Sequence, residues 1–289
     1  MKIEYTLTAP VSHIGEVAST GSYFQTINTA YGRLPVITGN AVRGQLRDSM
    51  ALRFCSLAET KLDKETFHIF FSGGNLNSTI RDDIEKAKSI RQHFPMISLL
   101  GGGLGDMIMA GKSIFSFLYP VCSEAEQITK IRSDISWHSL IDEIEFTRMD
   151  DSKSDIKGEY INDIDAEKQA KASTQMRFTV QYMAAGTKFV QDIKFLHGIT
   201  EIEQGALYSG LAEWFKVPRL GGMSAKGFGM FDAKVDGDDL TVMDGEIRYS
   251  NKVGELISRY EDFVKEEKGQ YLDLFAVQDK KKAKKEKDG

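Results

Sequence analysis

The hydrophobic pattern changes its period between the first strand-like segment and the residues after Asn40. Ile3, Tyr5 and Leu7 alternate with polar residues, which is the pattern of a half-buried strand. Because Asn is a favourable N-cap, the pair Gly39 and Asn40 predicts the start of a helix. The apolar residues of its buried face recur every four positions: Val42, Leu46, Met50 and Phe54.

The second half of the chain predicts two strands, a helix, a strand and a last helix. The two strand-like segments, 175–182 and 188–196, are separated by residues 184–187 and predict a β-hairpin. Thr200 and Glu203 have the spacing of a capping box, so a helix is expected to begin there. Pro218 ends this helix, and the last two elements are a strand over 228–235 and a helix over 253–268.

Without its insertions, the chain therefore has the order β-α-β-β-α-β. This order predicts an α+β fold of the ferredoxin-like (RRM-like) type, with an antiparallel sheet and helices on one face. We expect a single domain over residues 1–275 and a lysine-rich, disordered tail over 276–289. The core is assigned to about 1–58, 113–146 and 174–250, and the insertions to 59–112 and 147–173.

Composition and charge narrow the function classes. The formal charge is −5, but residues 142–167 hold ten acids against three bases, a local net of −7, while the last ten residues carry +4. The rest is close to neutral, so net charge does not exclude binding to a polyanion.

No apolar run approaches the roughly 18 residues of a membrane span, and the first residues lack a signal-peptide core, which favours a cytoplasmic protein. Two cysteines and five scattered histidines form no disulfide framework and no metal motif.

Two segments that combine glycine with basic residues are the main candidates for function. The first runs from Pro35 to Arg47 and the second from Pro218 to Gly229. Glycine allows close backbone approach and positive φ, and exposed N–H groups and cations suit phosphate. Arg43 and Arg47 lie one turn apart on a predicted helical face; the alternative interpretation is a pair of ordinary solvated arginines. Neither segment has the spacing of a P-loop or of the dinucleotide-binding fingerprint.

In this order of elements, the chain resembles the RAMP superfamily of CRISPR systems, and within it the "seven"-class backbone subunit. The resemblance spans roughly residues 3–235. It is carried by Pro35-Val36-Ile37-x-Gly39-Asn40-x-x-Arg43-Gly44-x-Leu46-Arg47, by the glycine-rich loop Leu220 to Gly229, by the strand-like residues 175–189, and by Phe146-Thr147-Arg148-Met149-Asp150-Asp151.

The resemblance implies a right-hand-like shape, with a ferredoxin-like palm, finger-like segments and residues 147–173 as a thumb. It also implies a set of RNA-binding residues: His13, Gly39, Asn40, Arg43, Gly44, Arg47, Arg219, Gly221, Gly222, Ser224, Lys226 and Gly227, with Arg148 and Met149 on the thumb. The expected partners are CRISPR RNA, its complementary target, further copies of the chain in a head-to-tail filament, and other effector subunits: a five-class cap, a large subunit and a guide-processing subunit. No cofactor, metal or membrane partner is expected.

One departure from the family pattern bears on catalysis. Members of type III complexes that cut target RNA have a catalytic aspartate in the loop after the first strand, whereas residues 11–34 hold no Asp and only one carboxylate, Glu16. We therefore expect a guide-holding subunit without nuclease activity, as in type I or type IV complexes, with type IV favoured. The alternatives are a type III-like, metal-dependent endonuclease and a scaffold that binds no nucleic acid.

Overall fold

The computed structural model describes residues 1–18, 21–59, 61–62, 64–76, 84–105, 107–148, 176–196 and 198–267. The strands are β1 (Lys2–Leu7), β2 (Ile14–Ala18), β3 (Gly21–Phe24), β4 (Thr26–Thr29), β5 (Gly32–Pro35), β6 (Gly74–Leu76), β7 (Gly102–Gly105), β8 (Met107–Met109), β9 (Ser113–Phe115), β10 (Tyr119–Pro120), β11 (Ile141–Arg148), β12 (Met176–Met183), β13 (Lys188–Phe195), β14 (Phe231–Val235), β15 (Leu240–Met243) and β16 (Glu246–Tyr249). The α-helices are α1 (Gly39–Ala58), α2 (Lys64–Ser72), α3 (Ile84–His93), α4 (Pro95–Leu100), α5 (Glu126–Thr129), α6 (Glu201–Trp214) and α7 (Asn251–Glu266).

The largest sheet is antiparallel and has β1 near its centre. The strands follow the order β10-β13-β1-β14-β15-β16, and β9 pairs with the other end of β13. Tyr5 lies between Phe189 of β13 and Ala233 of β14. As the alternating pattern predicts, Ile3, Tyr5 and Leu7 are buried, while Glu4 is exposed.

This sheet confirms the ferredoxin-like order of elements. The second strand of that order, however, is the β9–β10 pair and not the predicted strand 175–182. The order β-α-β-β-α-β is formed by β1, α1, the β9–β10 pair, β13, α6 and β14. The predicted hairpin of 175–182 with 188–196 is wrong, because β13 is flanked on both sides by β1 and by β9–β10. β12 instead pairs along its whole length with β11.

The helices α1, α6 and α7 pack together over the apolar face of this sheet. Val42, Leu46 and Phe54 of α1 have no exposed surface, as the four-residue period predicts. The capping box of Thr200 and Glu203 is present at the start of α6, which confirms the local sequence signal. The predicted N-cap of α1 is wrong by two residues: the side chain of Thr38 accepts the hydrogen bond from Ala41 N, and Gly39 and Asn40 are already helical.

A second sheet carries the strands on either side of the predicted thumb. Its order is β11-β12-β3-β2, and the β11–β12 register runs from Ile141↔Met183 to Arg148↔Met176. Residues 147–173 therefore start at the end of this two-stranded ribbon. Arg148 is the last residue of β11, and Met149 lies outside the described residues, as does the tail 276–289.

The described residues of the insertion 59–112 form a small sheet and three helices beside α1. The strands β6, β7 and β8 form this sheet, and α4 packs against α1 and α6. Within the described ranges, no helix is long and apolar enough to cross a membrane.

Candidate nucleic-acid interface

The two glycine-rich basic segments are hydrogen-bonded to two adjacent residues, Ser12 and His13. Gly222 N donates to Ser12 O at 2.8 Å, and Thr38 N donates to His13 Nε2 at 3.2 Å. Residues almost two hundred positions apart are thereby hydrogen-bonded to neighbouring residues of one short stretch of the chain.

His13 joins the first strand's loop to the start of α1 as a neutral imidazole. Its Nε2 accepts the Thr38 N–H, so that nitrogen carries no proton, and burial lowers the pKa of the ring. The ring also lies edge-on to Phe24, with centroids 6.3 Å apart. The side chain has a clear structural role, and its contact with RNA stays a prediction.

The glycines of the first segment serve two different purposes. A Cβ on Gly39 would lie 2.7 Å from Phe115 O and 2.8 Å from Ser116 O, so this position needs glycine for packing. A Cβ on Gly44 would meet nothing within 4 Å. Asn40 and Gly44 are both exposed on the first turns of α1. Of the two glycines, only Gly44 leaves open space that an external group could enter.

The guanidinium of Arg47 binds the protein itself, so Arg47 is not the solvated arginine of the alternative interpretation. Arg47 is 6% exposed. Its Nη2 donates to Gly101 O at 2.9 Å and to Leu100 O at 3.2 Å, and its Nη1 donates to Ile69 O at 3.4 Å. These carbonyls belong to α2 and to the end of α4, whose last C=O groups lack helical partners. Arg47 thus fastens the insertion to α1.

Arg43 lies one turn earlier and is only half-buried. It donates to the same carbonyl, that of Leu100. Burial is the main cause that lowers the pKa of Arg47 to about 10, and the positive charge of Arg43 lowers it further. Two like charges therefore share this region, and of the two Arg43 has the more exposed side chain.

The second segment is a tight loop with exposed cations and donors. Gly221 has φ +67°, and a Cβ there would lie 2.2 Å from Ser12 O, so the close approach to Ser12 requires glycine. Ser224 to Lys226 form one turn of 3₁₀ helix, and Gly227 follows with φ +86° and no atom within 4 Å of a Cβ. Arg219, Gly222, Ser224, Lys226 and Gly227 are all exposed.

An aromatic contact that the sequence did not indicate holds this loop on the β11–β12 ribbon. Phe228 is 5% exposed, and its ring centroid lies 6.3 Å from that of Phe146 and 6.1 Å from that of Tyr182. Lys226 Nζ lies 4.5 Å from the centroid of the Phe146 ring. The glycine-rich loop and the base of the predicted thumb are therefore in direct contact.

Asp48 of α1 is influenced electrostatically by arginines from both segments. Burial raises the pKa of its carboxyl, and the charges of Arg219 and Arg47 act in the opposite direction. Arg219 of the second segment is thus close enough to α1 to influence the carboxyl of Asp48.

In the ranges that the structure describes, no group of three or more His, Cys, Asp or Glu residues could hold a metal ion.

A cavity of about 550 Å³ opens beside Arg43. It is lined by Asn40, Arg43, Gly44, Arg47, Ser72, Gly73, Gly74, Gly102, Gly103, Ile108, Met109, Ala110 and Gly111. One side is the first half of α1, and the other is backbone of the insertion.

The fold and the site define a ferredoxin-like protein with cations and open glycines on two joined segments, a combination suited to a polyanion. The chain belongs to the RAMP superfamily, whose family model matches residues 4–232. Among curated proteins, no match was found. Among solved structures, a chain described as "Type IV-B CRISPR Complex" is similar with 15% sequence identity and a TM-score of 0.58, over 86% of this chain and 92% of that one. At this identity the similarity shows a shared fold.

Proposed function

We propose that the protein is a backbone subunit of a CRISPR effector complex, which binds CRISPR RNA along its palm and does not cut nucleic acid. The observation that carries this proposal is the junction at Ser12 and His13, to which both cationic segments are hydrogen-bonded. Membership of the RAMP superfamily and the shared fold with a chain of a type IV-B CRISPR complex support it.

In this proposal the two segments bind consecutive phosphates of the guide. Arg43 supplies a half-buried cation at the start of α1, and Arg219 and Lys226 supply exposed cations on the loop. The open backbone at Gly222 and Gly227 and the hydroxyl of Ser224 add hydrogen-bonding groups. Arg47 contributes by holding the insertion in place rather than by touching RNA.

The proposed thumb is the segment that follows the β11–β12 ribbon. Because Phe228 packs against Phe146 and Tyr182, the loop that binds the guide also fixes the direction in which the ribbon leaves the palm. We expect copies to stack head to tail along one guide, with the thumb of each copy reaching the guide–target duplex and with the other effector subunits at the ends.

Co-expression with a CRISPR RNA tests this proposal. The purified protein should carry RNA and form assemblies several protomers long, which ribonuclease shortens; mass photometry before and after digestion measures this. The test variant is Arg43→Ala/Arg219→Ala/Lys226→Ala, which replaces one half-buried side chain and two exposed ones and should remain folded. Assemblies of unchanged length from this variant, free of RNA, would favour a protein scaffold instead.

Incubation of the assembled complex with a complementary RNA and Mg²⁺ tests the absence of catalysis. We expect the target to stay intact. Cleavage that disappears in Glu16→Ala, the single carboxylate of residues 11–34, would show a type III-like endonuclease and contradict this part of the proposal.

A further inference from the structure

A groove that shares no lining residue with the cavity beside Arg43 lies where α3, α4, α6 and α7 meet. It encloses about 340 Å³. Pro95 of α4, Ile202 of α6 and Phe263 of α7 form its apolar lining, and the side chains of the last two are half-buried. The helices thus leave an apolar surface between them, which we call the helix groove.

The charged groups of the helix groove leave one cation uncompensated. Lys112 Nζ donates to Glu203 Oε1 at 2.8 Å and to Oε2 at 3.0 Å, so these two charges neutralise each other. The third charged residue of the lining is Arg91, whose Nη2 donates to Ala110 O at 2.8 Å. Its Nε is buried and donates to no atom of the described residues. Because a buried N–H without an acceptor is unfavourable, this nitrogen favours a partner, and a carboxylate would also balance the charge.

The C-terminal end of α7 lies against the same helix that carries Arg91. His93 Nε2 of α3 is 3.6 Å from an oxygen of Glu267, the residue that caps the end of α7. Phe263, which lines the helix groove, lies about one helical turn before Glu267. The chain therefore leaves α7 beside α3, about one turn from the groove.

The sequence that follows α7 matches the lining of the helix groove. Residues 268–289 lie outside the described part of the chain, and they include the stretch Tyr271-Leu272-Asp273-Leu274-Phe275. Four of these five side chains are large and apolar, and the fifth is a carboxylate. In an extended chain, side chains two positions apart point to the same side, so both aromatic rings share a side with Asp273.

The length of the connection allows this stretch to reach the groove. Six residues lead from Glu267 to Asp273, and an extended chain of that length spans up to about 20 Å. The return from the end of α7 to the level of Phe263 requires only one helical turn, about 5.4 Å.

We propose that residues 271–275 of the same chain occupy the helix groove as an extended segment. The carboxylate of Asp273 accepts a hydrogen bond from Arg91 Nε, and the rings of Tyr271 and Phe275 pack on the apolar lining. The segment thereby ties the insertion, through α3 and α4, to α7. This proposal concerns how the chain covers its own surface, and it does not depend on RNA binding.

Limited digestion with chymotrypsin tests the proposal, because this protease cleaves after aromatic residues such as Tyr271 and Phe275 where they are accessible. Intact-protein mass spectrometry gives the cleavage rates. Asp273→Ala and Arg91→Met should each raise the rate at 271–275 about tenfold, because cleavage follows the population of the undocked segment. The double variant should be cleaved no faster than the faster single variant, since both substitutions remove the same contact.

Two features of the design keep a loss of fold from being mistaken for undocking. Asp273→Ala leaves every contact of the described residues intact, whereas Arg91→Met also removes the bond to Ala110 O. Arg132→Met is the matched control, because Arg132 is exposed and does not line the helix groove. It should be cleaved at the rate of the unmodified protein.

The outcomes distinguish the proposed contact from its alternatives. Rapid cleavage of the unmodified protein that neither substitution accelerates, or slow cleavage that both leave unchanged, would overturn the contact between Asp273 and Arg91. Protection that disappears on dilution by about a hundredfold would overturn docking within one chain and show that the segment binds a second copy. Neither result bears on RNA binding.

Discussion

The two glycine-rich basic segments look alike in sequence but differ in what their cations do. In the first, Arg47 is 6% exposed and binds three carbonyls of the insertion, and Arg43 shares one of them. In the second, Lys226 is exposed and its nearest described partner is the ring of Phe146. The helical segment therefore uses its cations partly to build the protein, whereas the loop segment leaves them available for a ligand.

The replacement of Arg47 should have the largest effect. Arg47→Ala removes this donor from the carbonyls of Gly101 and Ile69 and leaves that of Leu100 to Arg43 alone, so we expect a loss of about 2–4 kcal/mol in the free energy of unfolding. Urea denaturation measures it. Arg47→Lys keeps the charge but loses the forked geometry and should fall between the two. Unchanged stability together with weaker RNA binding would mean that Arg47 is a phosphate ligand after all.

Gly221 and Gly227 of the second segment allow a comparison between a glycine that packs against the protein and a glycine that faces open space. Gly221→Ala places a Cβ 2.2 Å from Ser12 O at φ +67°, so we expect a loss of about 2–3 kcal/mol. Gly227→Ala has only the strain of its positive φ, about 1 kcal/mol, because nothing lies within 4 Å. Equal unfolding midpoints for the two variants would show that the junction with Ser12 contributes little.

The contrast between these segments also shows what sequence could and could not predict. Most local signals were reliable, the N-cap of α1 excepted: the capping box at Thr200, the period of α1 and the helix α7 depend on residues within a few positions of one another. Partners at long range were not accessible. Arg47 donates hydrogen bonds to carbonyls that lie 22 to 54 residues away in the sequence. No local pattern around Arg47 predicts these partners.

The failed hairpin has the same cause. β12 and β13 are both strand-like and are separated by a good turn, so their sequence favours direct pairing. The better partners lie elsewhere, because β11 matches all eight residues of β12 and because β1 and β9–β10 already flank β13. The contact of Phe228 with Phe146 was missed for the same reason, although the aromatic residue inside a glycine-rich loop could have suggested an anchor.

His13 should give the smallest effect, and one that depends on pH. Its folded pKa lies below the ordinary value of 6.5, so the unfolded chain binds the proton more readily. The stability from the neutral ring is complete above about pH 6.5 and is lost as the pH falls below it, by no more than about 1.4 kcal/mol per pH unit. Urea denaturation between about pH 7 and 5 should show a smaller decline for His13→Gln. Parallel curves for the two proteins would contradict the neutral Thr38–His13 hydrogen bond.

The salt dependence of RNA binding tests most directly whether the two segments form one binding surface. Each phosphate contact releases counterions, so the slope of log affinity against log salt reports the number of contacts. For Arg43→Ala/Arg219→Ala/Lys226→Ala, we expect a slope shallower by about 2 units than that of the unmodified protein, with much weaker binding at low salt in a protein that remains folded. An equal slope and affinity in a folded variant would show that RNA, if bound, lies elsewhere on the molecule.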